Sequence, residues 1–202
     1  MAQNWKKYLA VCGIVSPVIF AVMVIIESLL RPGYSQTFNF ISDLGVGSNS
    51  ILQDINFWIF GILTLGFAAG LWMGTPAKKS LALKAGIVLV AIFALGVGLA
   101  GVFPEDFGDG HMHTLVSSTA FVAIIAALLL VWWGLRKADK AVWGNYRLYT
   151  LASGLLDLVL LFVFNAAMGG DYQGLVQRLF LAVPMLWILV TGLKLYSMAK
   201  NA

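Results

Sequence analysis

Charge is what this sequence has least of. Charged residues make up 11% of the 202-residue chain, against roughly 25% in soluble domains. Apolar residues reach 60%, and the mean hydropathy is +0.90. So few charges cannot cover so much apolar surface in water, which excludes a soluble enzyme domain and a nucleic-acid-binding domain. The single cysteine, Cys12, cannot form an intrachain disulfide, so a secreted disulfide scaffold is excluded as well. The sequence contains no Asn-x-Ser/Thr acceptor, no P-loop, and no G-x-S-x-G, H-E-x-x-H or C-x-x-C-H motif. Nothing calls for a cofactor, and none is expected. What is present is the composition of an integral membrane protein.

Six apolar stretches are long enough to cross a bilayer, which takes about 20 residues per helix. They run over 9–30, 55–74, 82–103, 113–135, 147–168 and 176–197. Lipid offers the backbone no hydrogen-bond partner, so each is expected to be a helix. The fold class is therefore all-α: one six-helix transmembrane bundle spanning 1–202. The first run follows Lys6 and Lys7 like a signal peptide. It exceeds a usual signal-peptide core and no A-x-A site follows, so a retained helix is expected.

Basic residues cluster at one set of helix ends, leaving only Arg31 and Arg178 at the other. That other side also carries Glu27, Asp43, Asp54, Glu105, Asp106, Asp109 and Asp171. The positive-inside rule then predicts a multi-pass cell-membrane protein with both termini cytoplasmic.

The chemically versatile residues fall on the predicted external side. Its first loop reads Arg31-Pro32-Gly33-Tyr34-Ser35, then Ile41-Ser42-Asp43-Leu44-Gly45. Its apolar residues suit a short interfacial helix ending near Gly45. Ser42 and Asp43 then either cap backbone groups or face the bundle mouth. The second loop holds Glu105, Asp106, His111 and His113, residue types that bind metals. If Asp109 caps the fourth helix, however, the two histidines lie about 200° apart around it and cannot share an ion. His111, His113 and Asp106 are thus weak metal candidates, and no metal is expected. His113 is the better inward candidate. Gln177 and Arg178 open the last helix; Arg178 and Arg31 either snorkel or clamp an anion, since guanidinium matches phosphate oxygens.

Asp157 is the costliest residue, because a carboxylate at mid-membrane costs about 2.5–3.5 kcal/mol on insertion scales. It must face the interior, be paired or be protonated. Ser153, Asp157 and Asn165 share a helical stripe, and Asn56 and Thr64 form a similar pair on the second span. These intramembrane polar residues either fix helix packing or form a polar seam. Gly96-Val97-Gly98-Leu99-Ala100-Gly101 matches a dinucleotide-binding pattern literally, yet it lies inside an apolar helix, where small residues serve helix packing.

The order RPGY, ISDLG-x-G-x-N, FPED with a nearby histidine, then QR opening the last helix resembles the domain-of-unknown-function 998 family of prokaryotic six-helix membrane proteins. The likeness runs from about Ser16 to Tyr196. The I-S-D-x-G segment and the histidine opening the fourth helix are also distantly similar to a eukaryotic family of GPI-lipid remodelling factors and autophagy modulators. That likeness implies lipid-linked work at the non-cytoplasmic face, with Arg31, Ser42, Asp43, His113 and Arg178 as the matching positions. The expected partners are membrane lipids, an anionic headgroup among them, and not nucleic acid. His113 and Asp43 are the candidates for proton transfer; Arg31, Ser42, Gln177 and Arg178 are the candidates for binding. The alternatives are a small-solute or proton-linked transporter using Asp157, a metal-dependent membrane hydrolase, and an accessory structural protein.

Overall fold

The computed structural model describes residues 2–47, 49–76 and 78–201. Six helices account for most of them: α1 (Ala2–Leu30), α2 (Ser50–Gly74), α3 (Leu81–Ala100), α4 (His111–Gly134), α5 (Lys140–Ala167) and α6 (Gln173–Lys200). All six contain stretches long and apolar enough to cross a membrane. Among the described residues there is no strand. The chain is a multi-pass, all-helical membrane protein.

Several helices run past the apolar stretches that announce them, because caps rather than hydropathy set helix ends. At the start of α5, the Asp139 carboxylate accepts from the Ala141 amide at 2.9 Å, so the helix begins at Lys140. At the start of α3, the Ser80 hydroxyl accepts from the Leu83 amide at 3.2 Å. That helix stops at Ala100, where tight turns lead into Pro104. The expected interfacial helix is a single 3-10 turn, Ser42–Gly45. Its Ile41 and Leu44 are buried, while Phe38 is exposed.

Each helix packs on its neighbours in chain order, and α6 returns to α1, closing a ring. Alternating direction leaves both termini at one end, the terminal end. The opposite, distal end carries the connections 31–49, 101–110 and 168–172. Glycines let the helices approach. A β-carbon on Gly96 would sit 2.8 Å from the Val116 carbonyl oxygen, and one on Gly61 would sit 2.9 Å from the Gly98 α-carbon. The glycine pattern of α3 therefore serves helix contact.

The two halves of the ring are filled differently. In the terminal half, Phe67 of α2 and Trp187 of α6 meet edge to face across the interior, with ring centres 5.9 Å apart. The Trp187 indole N–H donates to the Thr150 hydroxyl at 3.1 Å, and the Tyr146 and Thr191 hydroxyls pair at 2.8 Å. No such plug fills the distal half.

Candidate functional site

The unfilled distal half is a cavity of about 400 Å³ to which all six helices contribute. Its deep wall is aromatic and aliphatic: Phe20, Phe57, Phe60 and Phe93 are almost fully buried. Phe121 and Phe164 line its α4–α5 side, where Phe121 stands edge-on to Phe180 and Phe164 stacks parallel to it. Its polar groups gather toward the distal end: Ser42, Glu105, His113 and Gln177.

Glu105 is the centre of that group. Its carboxyl adjoins the side chains of Ser42 and Asp43 and lies 3.8 Å from His113 Nε2. Burial pushes the Glu105 carboxyl above its ordinary range; the Ser42 hydroxyl opposes this and the Asp43 charge adds to it. His113 is buried, and its Nδ1 lies 2.8 Å from the Phe103 carbonyl oxygen. A carbonyl can only accept, so Nδ1 carries the proton and donates it. Nε2 of the neutral ring is then a bare acceptor facing Glu105. At 3.8 Å the two groups adjoin without a direct hydrogen bond.

The loop 31–49 is tied across the distal end by α6. Gln177 Oε1 accepts from the Ile41 amide at 2.7 Å. Arg178 donates to the Asn39 carbonyl at 2.8 Å and to the Gly174 carbonyl at 2.9 Å, and also to the Tyr34 hydroxyl. The Leu175 amide donates to the Thr37 carbonyl at 3.0 Å. Asn39 in turn donates from its side chain to Asp43 at 2.8 Å, and the Phe40 amide reaches the same carboxylate oxygen at 3.1 Å. Asp43 therefore caps backbone and borders the site at once; the two readings of its role are not exclusive.

The residues singled out by sequence separate accordingly. Ser42, Asp43 and His113 come together around Glu105, and Gln177 lines the same cavity. Arg178 joins them only through Asn39, and its guanidinium braces the loop. Arg31 lies apart: it donates to the Leu44 carbonyl at 3.2 Å and lines a small pocket of about 30 Å³ with Glu27 and Asn49. His111 is exposed, on a different face of α4 from His113, and its amide is capped by Asp109 at 3.0 Å. Asp106 is exposed. Among the described residues no three His, Cys, Asp or Glu side chains group in a way that could hold a metal ion.

Asp157 is fully buried, and neither carboxylate oxygen has a hydrogen-bond partner. It lies one turn of α5 below Leu161, which lines the cavity. The seam expected to link it to Asn56 and Thr64 is absent. Asn56 donates to the Phe20 carbonyl at 3.3 Å and to Gln53 at 3.1 Å, and Thr64 donates to Ser16 at 3.4 Å. Both are drawn toward α1 because α1 is the ring neighbour of α2. Asn165 is exposed, at the cavity's edge, and donates to the Leu161 carbonyl at 2.7 Å.

Two partners were missed in the sequence. Asn39 has no motif to mark it, and Tyr34 stood in RPGY without an assigned role. Glu105 was visible in FPED, but only as one acid among several.

A family model described as "Protein of unknown function (DUF998)" matches residues 14–194. No curated protein and no solved structure matches the chain.

Proposed function

The chain belongs to the DUF998 family, and for this member we propose a membrane-lipid-binding function, with the lipid's alkyl part in the distal cavity and its polar head against Ser42, Glu105, His113 and Gln177. The observation that carries the reading is the cavity itself: apolar walls deep in the bundle, with a polar cluster at one end only. An amphiphile matches that polarity gradient; a small ion or a sugar does not. By the basic residues of the opposite ends, the distal end is external and the head is read on that side.

His113 and Glu105 are the groups able to move a proton at the head, with Asp43 fixing the surrounding loop. Arg31 and Arg178 act on the loop in this reading, and the head is held by hydrogen bonds. Native mass spectrometry of the protein extracted in mild detergent tests the binding. The parent chain should retain lipid, and Leu181→Trp, which fills the cavity, should lose it. Parent protein without lipid, or Leu181→Trp with undiminished lipid, would sink the reading. If the pair also performs chemistry, His113→Ala should keep lipid and lose turnover in a lipid-remodelling screen.

Proton-linked transport is the second reading, favoured by the unpartnered Asp157 just beneath the cavity floor. Substrate-driven proton uptake in vesicles that vanishes in Asp157→Asn would establish it over simple binding.

A further inference from the structure

We propose that the cavity is loaded sideways from the bilayer, through a slot between α4 and α5, by a lipid that places one alkyl chain inside. This rests on the lipid reading above and names the route and the form of the occupant.

The argument begins with which cavity-lining residues are exposed. Those contributed by α1, α2 and α3, and Ile41 and Ser42 of the loop, are buried. The exposed ones flank one gap. Thr114, Ser118 and Val122 form one stripe of α4 at four-residue spacing, Asn165 lies on α5, and Met168 follows directly after its last residue. Val122 is 60% exposed and Met168 is 57% exposed. A residue that both lines a cavity and reaches the outer surface marks an opening. Here the outer surface of membrane-spanning helices is lipid.

The distal route is narrowed by the loop, although Glu105, which lines the cavity there, keeps one third of its side chain exposed. Gln177 and Arg178 hold residues 39–41 over the distal end, and the start of α6 touches that backbone directly at Gly174. In contrast, the α4 and α5 backbones approach closely toward the terminal end, where a β-carbon on Gly154 would stand 3.1 Å from that of Leu128, while beside the cavity the two helices meet through the Phe121 and Phe164 rings, edge to face with centres 6.2 Å apart.

The slot edges have the chemistry a headgroup needs. Thr114 and Ser118 on one side, and Asn165 on the other, are polar residues exposed within spans that are otherwise apolar on the lipid side. They lie within two turns of the distal helix ends, so a head can slide inward from the interfacial layer toward His113 along polar groups. The cavity of about 400 Å³ holds on the order of a dozen methylene-sized groups, each comparable to the roughly 30 Å³ share of a water molecule in the liquid. That is on the order of one alkyl chain.

The test uses the full chain in phospholipid nanodiscs and a lysophosphatidylglycerol with a photoactivatable diazirine in its chain. In the parent protein, adducts should map to cavity residues such as Phe121, Phe164 or Leu181. Val122→Trp and Asn165→Phe narrow the slot from opposite walls at exposed positions. Each should slow cavity labelling by about tenfold or more, as expected when a bulky group obstructs the entry step. Val88→Trp, on the lipid face of α3, should leave the rate unchanged. Excess glycerophosphoglycerol, the same head without a chain, should not compete. Labelling that is unaffected by both slot variants and hastened by Gln177→Ala would overturn the lateral route and put entry on the water side. Competition by the chain-free head would overturn the assignment of the alkyl chain. Absence of any cavity adduct in the folded parent protein would bring down the lipid reading as well, an outcome distinct from the other two because it needs no variant.

Discussion

The side-chain oxygen of Gln177 accepts a hydrogen bond from the backbone amide of Ile41 at 2.7 Å, 136 positions earlier in the chain. Both residues are buried, so that amide has no water to turn to. Gln177→Ala should cost about 1–3 kcal/mol, the usual penalty for leaving a buried donor unsatisfied. Faster hydrogen exchange confined to residues 38–44 would be the local signature. Unchanged exchange there would mean the loop is held by Arg178 alone.

Gly174 offers a sharper test of the same strap. Replacing a helical glycine by alanine normally gains about 0.5–1 kcal/mol by restricting the unfolded chain. A β-carbon on Gly174 would collide with the carbonyl of Asn39. The sign should therefore invert: Gly174→Ala lowers the thermal midpoint, and protease cutting within 31–41 increases. A stabilised variant would show that the loop does not rest on α6.

The helices and the divergence of the two histidines were legible because both follow from local periodicity. Two residues apart on a helix is a rotation that no tertiary contact reverses, and His113 is buried while His111 is exposed. The role of Arg178 was not legible. Its partners are the Asn39 and Gly174 carbonyls, and a backbone carbonyl leaves no trace in composition. The sequence places Asn56 and Thr64 on one face of the second span but does not say which neighbour that face meets; their hydrogen bonds to the Phe20 carbonyl and the Ser16 hydroxyl turn it to α1. The cavity left the weakest trace, since it is lined largely by ordinary apolar residues and exists because Phe67 and Trp187 fill one half of the ring and nothing fills the other.

Asp157 should be a stability liability. Its carboxyl is buried with no partner for either oxygen, and removing such a group without opening a hole is favourable. Asp157→Leu, with the same heavy-atom branching, should stabilise the fold in detergent by on the order of 1–3 kcal/mol, seen as a raised unfolding midpoint. A lowered midpoint would mean that the carboxyl bridges helices through an ordered water.

The charge distribution predicts orientation. After Cys12 is replaced by Ser, a cysteine at exposed Asp106 should react with a membrane-impermeant maleimide on intact cells. One at exposed Lys137 should react only after permeabilisation. The reverse pattern would move the site to the cytoplasmic face and the lipid reading to the inner leaflet.

Glu105 should make stability depend on pH in a stated direction. In the unfolded chain its carboxyl titrates near the ordinary 4.5, and burial in the fold raises that value. Over the interval between the two, the native state binds more protons than the unfolded state, so stability falls as pH rises. The contribution is fully present below about 4.5 and is lost as pH climbs through the raised value. Glu105→Gln keeps the shape and removes the titration. Compared with the parent from about pH 4.5 upward, the variant should show a shallower decline in thermal midpoint, the two curves drawing together at the acid end. The comparison isolates this carboxyl from the other buried acids, which both proteins retain. If the parent instead gains stability relative to Glu105→Gln as pH rises, then the Ser42 hydroxyl and the His113 ring favour the charged carboxylate more than burial opposes it.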